Sequence, residues 1–278
     1  PIITPMKYGV FDGDSMKKLL ASVDPFVDGY VPCLSSGEGQ NLSEEQWTEV
    51  VSFLRNEMTK PLIAGVKRKT YEETLALARK AKDLGCDAYI TPVPSNNMDE
   101  VKDYFKRLSD EAELPLMIYN TETEHISNLK DLQEIDEIDK VIAIKDSSMN
   151  DEFFADACDA RLANDVKMNV LQGMEHKLDV PDGCDGYLVS LLNVEPELVQ
   201  RYFSERDQET KKEIFRKFMQ YNLGADWFIS LKALLYSRGT IASSEQVQQF
   251  IDIGEEMLQE LRSENGENNE FKKEFRLK

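Results

Sequence analysis

One theme recurs along the chain and limits what it can fold into. A short apolar run gives way to polar residues, and a stretch with apolar spacing near 3.6 follows. The runs lie at residues 2–4, 30–34, 62–65, 88–91, 116–119, 141–144, 168–171 and 187–190. Near-continuous apolar strands alternating with helices are the pattern of a parallel sheet covered on both faces. Eight such units closing on themselves make a (β/α)8 TIM barrel. The helical segments carry terminal signals. "SEEQWTEVVSFLRNEM" opens with Ser43 and Gln46 at capping-box spacing, and "TYEETLALARKAKDLG" ends on Gly85. The last run ends near Ser190, yet almost ninety residues follow, more than one barrel unit needs. The expected organisation is a catalytic barrel over 1–215 and a C-terminal helical extension over 216–278. That extension includes a helix in "SSEQVQQFIDIGEEMLQELRSE" and a frayed polar tail from Asn265.

Composition narrows the function classes. The net charge of −19 argues against nucleic acid or an anionic membrane as partner, because both demand clustered Lys and Arg. Apolar residues make up 41%, with no transmembrane-length window, and "PIITPMKYG" has neither a basic n-region nor an apolar h-region. A cytoplasmic protein is expected. Cys33, Cys86, Cys158 and Cys184 are widely spaced, and no CxxC or Cys/His ligand spacing occurs, so reduced thiols are expected rather than zinc or disulfides. The two histidines, His125 and His176, sit in no ligand spacing, which points away from a metal-dependent reaction.

A barrel carries its active site at the C-terminal ends of its strands, so the residues ending each run matter most. In "DKVIAIKDSS" the sixth run ends at Lys145 and Asp146. Desolvation in a barrel lumen would disfavour an ammonium and expose an amine able to attack a carbonyl. The structural alternative is a lysine snorkelling out of the strand end, paired with Asp146. The fifth run, "PLMIYN", ends at Tyr119, a phenol able to shuttle protons to and from a carbinolamine or to serve only in the core. The second ends in "SSGEG", where Ser35 and Ser36 offer hydroxyls, and Gly37 and Gly39 relax the backbone toward an anion-binding nest.

Together these residues resemble the dihydrodipicolinate synthase/N-acetylneuraminate lyase family of class I aldolases. The resemblance runs from "IITP" through "SSGEGQNLSEEQ", "KPLIAGV", "ITPVP", "LPLMIYN", "IAIKDSS", "LQGME" and "DGYLVSLLNVEPELV" to "SLKALL". It implies a barrel with C-terminal helices, usually assembled as a homotetramer, and no cofactor beyond a covalent imine. It implies that Lys145 takes the C2 carbonyl of pyruvate or another 2-keto acid as a Schiff base, and that Tyr119 transfers protons. Ser35 and Ser36 would stand in the family's hydroxyl pair, binding the substrate carboxylate with Gly37 and linking to Tyr119, with Ser36 taken as catalytic. Gly173 and Leu188 fall where the family contacts the keto acid by backbone.

Departures from the family carry the substrate information. Val93 and Pro94 replace a tyrosine pair, and Glu124 stands where the synthases have an arginine that binds the second substrate's carboxylate. Thr121, Glu122, Glu124 and His125 are candidate specificity residues for a polyhydroxylated tail. "KDSS" looks more like the 2-keto-3-deoxy sugar acid aldolases. The expected reaction is cleavage of a 2-keto-3-deoxygluconate-type acid to pyruvate and an aldehyde. The same imine would serve a dehydratase, a 4-hydroxy-2-oxoglutarate or N-acetylneuraminate lyase, or dihydrodipicolinate synthase. A non-catalytic keto-acid-binding paralogue is the alternative from another class. The loops after runs seven and eight, "QGMEHK" and "LLNVEP", are not glycine-rich, which disfavours phosphorylated substrates.

Overall fold

A computed structural model describes residues 1–223 and 227–247. After a hairpin of β1 (Met6–Lys7) and β2 (Val10–Phe11) come α1 (Gly13–Val23) and α2 (Glu44–Glu57). Then β3 (Ile63–Gly65), α3 (Tyr71–Asp83), β4 (Ala88–Pro92), α4 (Met98–Ala112), β5 (Leu116–Asn120), α5 (Leu129–Asp136), β6 (Val141–Asp146), α6 (Asp151–Ala163), β7 (Asn169–Gln172) and β8 (Gly186–Tyr187) follow in strict order. The strands β3 to β8 pair side by side in sequence order, all parallel. Three helices, α7 (Pro196–Glu205), α8 (Gln208–Gln220) and α9 (Trp227–Ser237), complete the described chain. This is the (β/α)8 barrel with C-terminal helices.

Two expected strands take a different form. Residues 30–34 make one bridge, Tyr30 to Leu62, although Ile63 N–H still donates to Tyr30 O (2.9 Å) and Gly65 N–H to Pro32 O (2.9 Å). Pro32 has no N–H to give a ladder, and Cys33 turns the chain into the left-handed region at φ 57°. Residues 2–4 form no strand: Ile2 N–H reaches Val31 O at 3.1 Å, while Ile3 N–H goes to the side-chain Oδ1 of Asn193, also at 3.1 Å. Asn193 Nδ2 donates in turn to Pro1 O (2.9 Å), so a side-chain amide links the exit of β8 to the first run. The ring is thus completed by side-chain and irregular backbone bonds where two ladders were expected.

The helix signals translate into the expected caps. Ser43 and Gln46 form a reciprocal capping box at α2, Thr70 and Glu73 form a second at α3, and Gly85 follows α3 at φ 79°. No helix separates β7 from β8 among the described residues. That connection is held by Asp185, whose carboxylate takes Val170 N–H (2.8 Å) and Arg161 Nε (3.0 Å). The boundary expected at residue 215 falls inside α8. The helix expected over 243–264 begins differently: Glu245 is extended and bridges Met6, and the part beyond residue 247, with the tail from Asn265, lies outside the described residues.

Strand pleat divides the core in two. Val31, Leu34, Ile90, Met117 and Ala143 fill the barrel, joined by Ile63, Leu171, Leu188 and Tyr119. The alternate residues Tyr89, Ile118, Ile144 and Val170 face the helices and pack with Trp47, Phe105 and Phe153. Among the described residues no helix is long and apolar enough to cross a membrane.

Candidate active site

The same alternation places the lysine. Along β6, Ala143 points into the barrel and Ile144 outward, so Lys145 points into the lumen. It is 5% exposed and forms no ion pair among the described residues. The snorkelling alternative fails, because Asp146 faces the other way. Its Oδ1 accepts from Asn120 Nδ2 at 2.8 Å, and burial outweighs that bond and those with Ser148 to raise its pKa. Register supplies the partner: β5 and β6 pair Tyr119 with Lys145, and Lys145 Nζ lies 4.2 Å from the centroid of the Tyr119 ring. Burial pulls the phenol's pKa up. The Lys145 charge, with hydrogen-bonding influence from Ser35, Ser147 and Lys145, more than offsets this, and the phenol ends below its ordinary value.

The two serines separate. Ser35, at the rim, is the one that acts on Tyr119. Ser36 is buried and accepts from the indole Nε1 of Trp227 at 3.0 Å, which leaves its own O–H free to donate. Of the two expected hydroxyls it is therefore Ser35 that stands within influence of the Tyr119 phenol, while Ser36, expected as the catalytic member, meets Trp227. The anion nest is also smaller than expected. Glu38 N–H and Gly39 N–H close back on Ser35 O (3.0 Å) and Leu34 O (3.1 Å), leaving those of Ser36 and Gly37 without a protein partner among the described residues. Thr4 Oγ1 fixes the turn by donating to Gly37 O at 2.7 Å.

Gly173 stands directly against the lysine. A Cβ there would lie 2.1 Å from Ser147 Oγ and 2.6 Å from Lys145 Cε, so only glycine leaves room for both. Its N–H is engaged with Asp146 O (2.8 Å), and that of Leu188 with Gln172 O (2.9 Å), so a backbone contact from either to a ligand falls to the carbonyl. Leu188 itself packs against the barrel interior.

Above Tyr119 and Ser35 opens a cleft of about 250 Å³, lined also by Gln40, Lys67, Pro92 and residues 121–124. Thr121 and Glu124 close a tight turn there, with Glu124 N–H reaching Thr121 Oγ1 at 3.3 Å and Thr123 donating to the Glu124 carboxylate. Three expected specificity residues stand elsewhere. Val93 is 2% exposed and belongs to the outer, helix-facing core; Pro94 is exposed; and His125 is tied by its N–H to Asn96 Oδ1 (3.2 Å), away from the cleft lining. Sequence reasoning missed Ser147, Lys67 and Trp227. Ser147 Oγ is buried without a well-formed bond of its own among the described residues, next to the phenol it influences. Lys67 could have been found, since it stands two residues past the third apolar run, close to where Lys145 stands one past the sixth. Trp227 left no local signal.

Among the described residues no group of three or more His, Cys, Asp or Glu side chains is arranged to hold a metal.

A lumenal lysine thus stands beside a phenol and a glycine, and comparison with known proteins identifies the family. The model of the dihydrodipicolinate synthetase family matches residues 1–264. The chain belongs to that family. A 4-hydroxy-tetrahydrodipicolinate synthase of Clostridium novyi is 25% identical over 201 residues, covering 69% of this chain and 64% of that relative. Against other curated synthases, such as that of Maridesulfovibrio salexigens at 29% identity, the chain spans about half of the relative's length, 54%. Among solved structures, dihydrodipicolinate synthase of Bacteroides thetaiotaomicron superposes with a TM-score of 0.83 at 23% identity, covering 95% of each chain. The Acinetobacter baumannii enzyme, solved in complex with pyruvate, gives 0.80 at 23% identity over 94% of each. These two share the fold with this member of the family.

Proposed function

We propose that this protein is a class I aldolase that captures a 2-keto acid as an imine on Lys145. The observation that carries the reading is a lumenal lysine without a carboxylate partner among the described residues, set against Tyr119. Lys145 Nζ adds to the C2 carbonyl, Tyr119 gives a proton to the carbinolamine oxygen, and water leaves. The imine then accepts the electrons of the breaking C3–C4 bond while the C4 hydroxyl yields its proton. This releases an aldehyde and leaves a pyruvate enamine. Protonation at C3 and hydrolysis return pyruvate and free lysine. No metal or organic cofactor enters this sequence. The N–H groups of Ser36 and Gly37, unpaired among the described residues, suit the substrate carboxylate together with the Ser36 hydroxyl.

A 2-keto-3-deoxygluconate-type acid is the favoured substrate. Thr121, Glu122 and Glu124 at the cleft offer oxygen acceptors and hydroxyls to a polyol tail, and Glu124 opposes a second carboxylate there. The curated relatives' names favour a second reading, synthesis, in which the pyruvate enamine attacks an amino-acid semialdehyde. Lys67, on the same cleft, is the cation such a substrate would meet. Borohydride reduction with pyruvate, followed by peptide mapping, tests the shared chemistry. A pyruvate-derived adduct on Lys145 is expected, and its absence overturns both readings. Pyruvate release across a panel of 2-keto-3-deoxy acids, set against pyruvate consumption with a semialdehyde, separates them. Adduct formation without turnover on either panel would indicate a keto-acid-binding paralogue.

A further inference from the structure

Far from the lysine, two of the four cysteines are brought together. Cys158 is fully buried in the second half of α6, and Cys184 is half-buried just before β8. The approach depends on the turn between Pro181 and Cys184, whose N–H and C=O groups meet at 3.3 Å. Gly183 takes φ 94° within it, and a Cβ there would lie 2.1 Å from Cys158 O. Only glycine allows both the left-handed turn and that contact with the helix. The turn thus lays the residue next to Cys184 directly on the backbone of Cys158, near enough for each thiol to influence the other, and Cys184 Sγ donates to Gly186 O at 3.3 Å.

The pair is asymmetric. The hydrogen-bonding influence of Cys158, backbone bonds at Gly186 and Gln172 and the Arg206 charge act against desolvation and hold the Cys184 thiol below its ordinary value. The same mutual influence, with burial, pushes the Cys158 thiol up. Cys184 also lines a surface cavity of about 870 Å³ with Leu162, Pro181, Gly183 and Arg206, whereas Cys158 lies behind it. An accessible thiol thus stands in front of a shielded one. Cys33 and Cys86 are buried, and burial raises both thiols, that of Cys86 to about 12.

We propose that Cys184 and Cys158 form a peroxide-reactive dithiol site, in which Cys184 is the attacked sulfur and Cys158 resolves it to a disulfide. The Cys184 thiolate attacks one peroxide oxygen, the O–O bond breaks, and the departing hydroxide takes a proton to leave as water. Cys184 is oxidised by two electrons to the sulfenic acid and the peroxide is reduced. The Cys158 sulfur then attacks Cys184 Sγ, the S–O bond breaks, and a second water leaves. The balance is two thiols and one hydrogen peroxide giving one disulfide and two waters.

The test treats the full-length protein with hydrogen peroxide and follows thiols and non-reduced peptides. Two of the four thiols should disappear, a Cys158–Cys184 cross-linked peptide should form, and a thiol reductant should restore both. With Cys158→Ser, a dimedone adduct should accumulate on Cys184; with Cys184→Ser, Cys158 should stay reduced. Wild-type protein that keeps all four thiols while a free low-pKa thiol is consumed overturns the proposal, as does oxidation of Cys33 or Cys86 first. A persistent wild-type sulfenic acid on Cys184 without a cross-link overturns the resolving role.

Discussion

Replacing Gly173 by alanine is a direct perturbation of the lysine's position. The new Cβ would stand 2.6 Å from Lys145 Cε, 2.1 Å from Ser147 Oγ and 2.7 Å from Asp146 O. Ordinary carbon–carbon contact is about 3.5 Å, so the lysine must retreat by about 1 Å. Overpacking of this kind costs about 1–3 kcal/mol of stability. A displacement of about 1 Å at a reacting group costs on the order of 100-fold in rate. Gly173→Ala should therefore lower the melting temperature modestly and slow borohydride trapping of pyruvate on Lys145 by about two orders of magnitude. The two effects can be separated, because adding Ser147→Ala removes the shortest contact but not the one to Lys145. The double variant should regain stability while trapping stays slow. If Gly173→Ala traps pyruvate at the wild-type rate, the shelf does not set the lysine, and the geometry assigned to imine formation is wrong.

Tyr119→Phe should cut turnover by about 10²–10⁴-fold while leaving Lys145 still trappable, read from kcat beside the borohydride adduct. Because the Tyr119 pKa lies below its ordinary value, the phenol loses its proton at lower pH than the usual value of about 10. Steps that need it as a donor should fail on the alkaline side earlier than for a free phenol, and that limb should vanish in the variant's pH–rate profile. Lys232→Met leaves the Glu38 carboxylate buried and unpaired, a loss of about 3–5 kcal/mol in denaturant unfolding that adding Glu38→Gln should partly restore. Trp227→Phe removes the indole donor to Ser36, and should raise KM for the 2-keto acid by roughly 3- to 10-fold, a net bond of about 1 kcal/mol, with a smaller change in kcat.

The repeated apolar runs made the barrel legible, because burial on both faces of a parallel sheet leaves a hydrophobic run that needs no long-range information to read. Lys145 and Tyr119 were legible for a related reason. A strand's period of two, counted back from the last apolar residue, fixes which terminal side chain faces the lumen. The errors share a physical origin. Val93 follows the fourth run in sequence, but one residue of pleat past Pro92 turns it outward into the helix-facing core. Ser35 and Ser36 likewise occupy adjacent residues with opposite destinations, and no local pattern says which hydroxyl meets the phenol. The first run was apolar enough to be a strand. Its backbone partner was replaced by Asn193, a side chain 190 residues away from Ile3, and such a pairing leaves no periodic trace.

That long-range dependence explains why the chain continues past its eighth strand. The turn carrying Ser35 and Ser36 needs Glu38 at φ 52°, a left-handed conformation that a glutamate adopts only when something holds it. Helix α9 supplies the hold twice. Lys232 pairs with the Glu38 carboxylate where both side chains are essentially without solvent contact, and Trp227 donates to Ser36 on the same turn. Glu38 Oε2 also accepts Val247 N–H at 2.8 Å, and Lys232 Nζ donates to Glu245 O at the same distance. Taking two charges out of water is costly unless their geometry and hydrogen bonds are complete, and here each ion has a further partner. Desolvation lowers the Lys232 pKa, an effect the Glu38 charge opposes. A barrel cut after β8 would keep Lys145 and Tyr119 but lose both anchors of the turn that faces them, so the C-terminal helices are part of the site's support as well as of the fold.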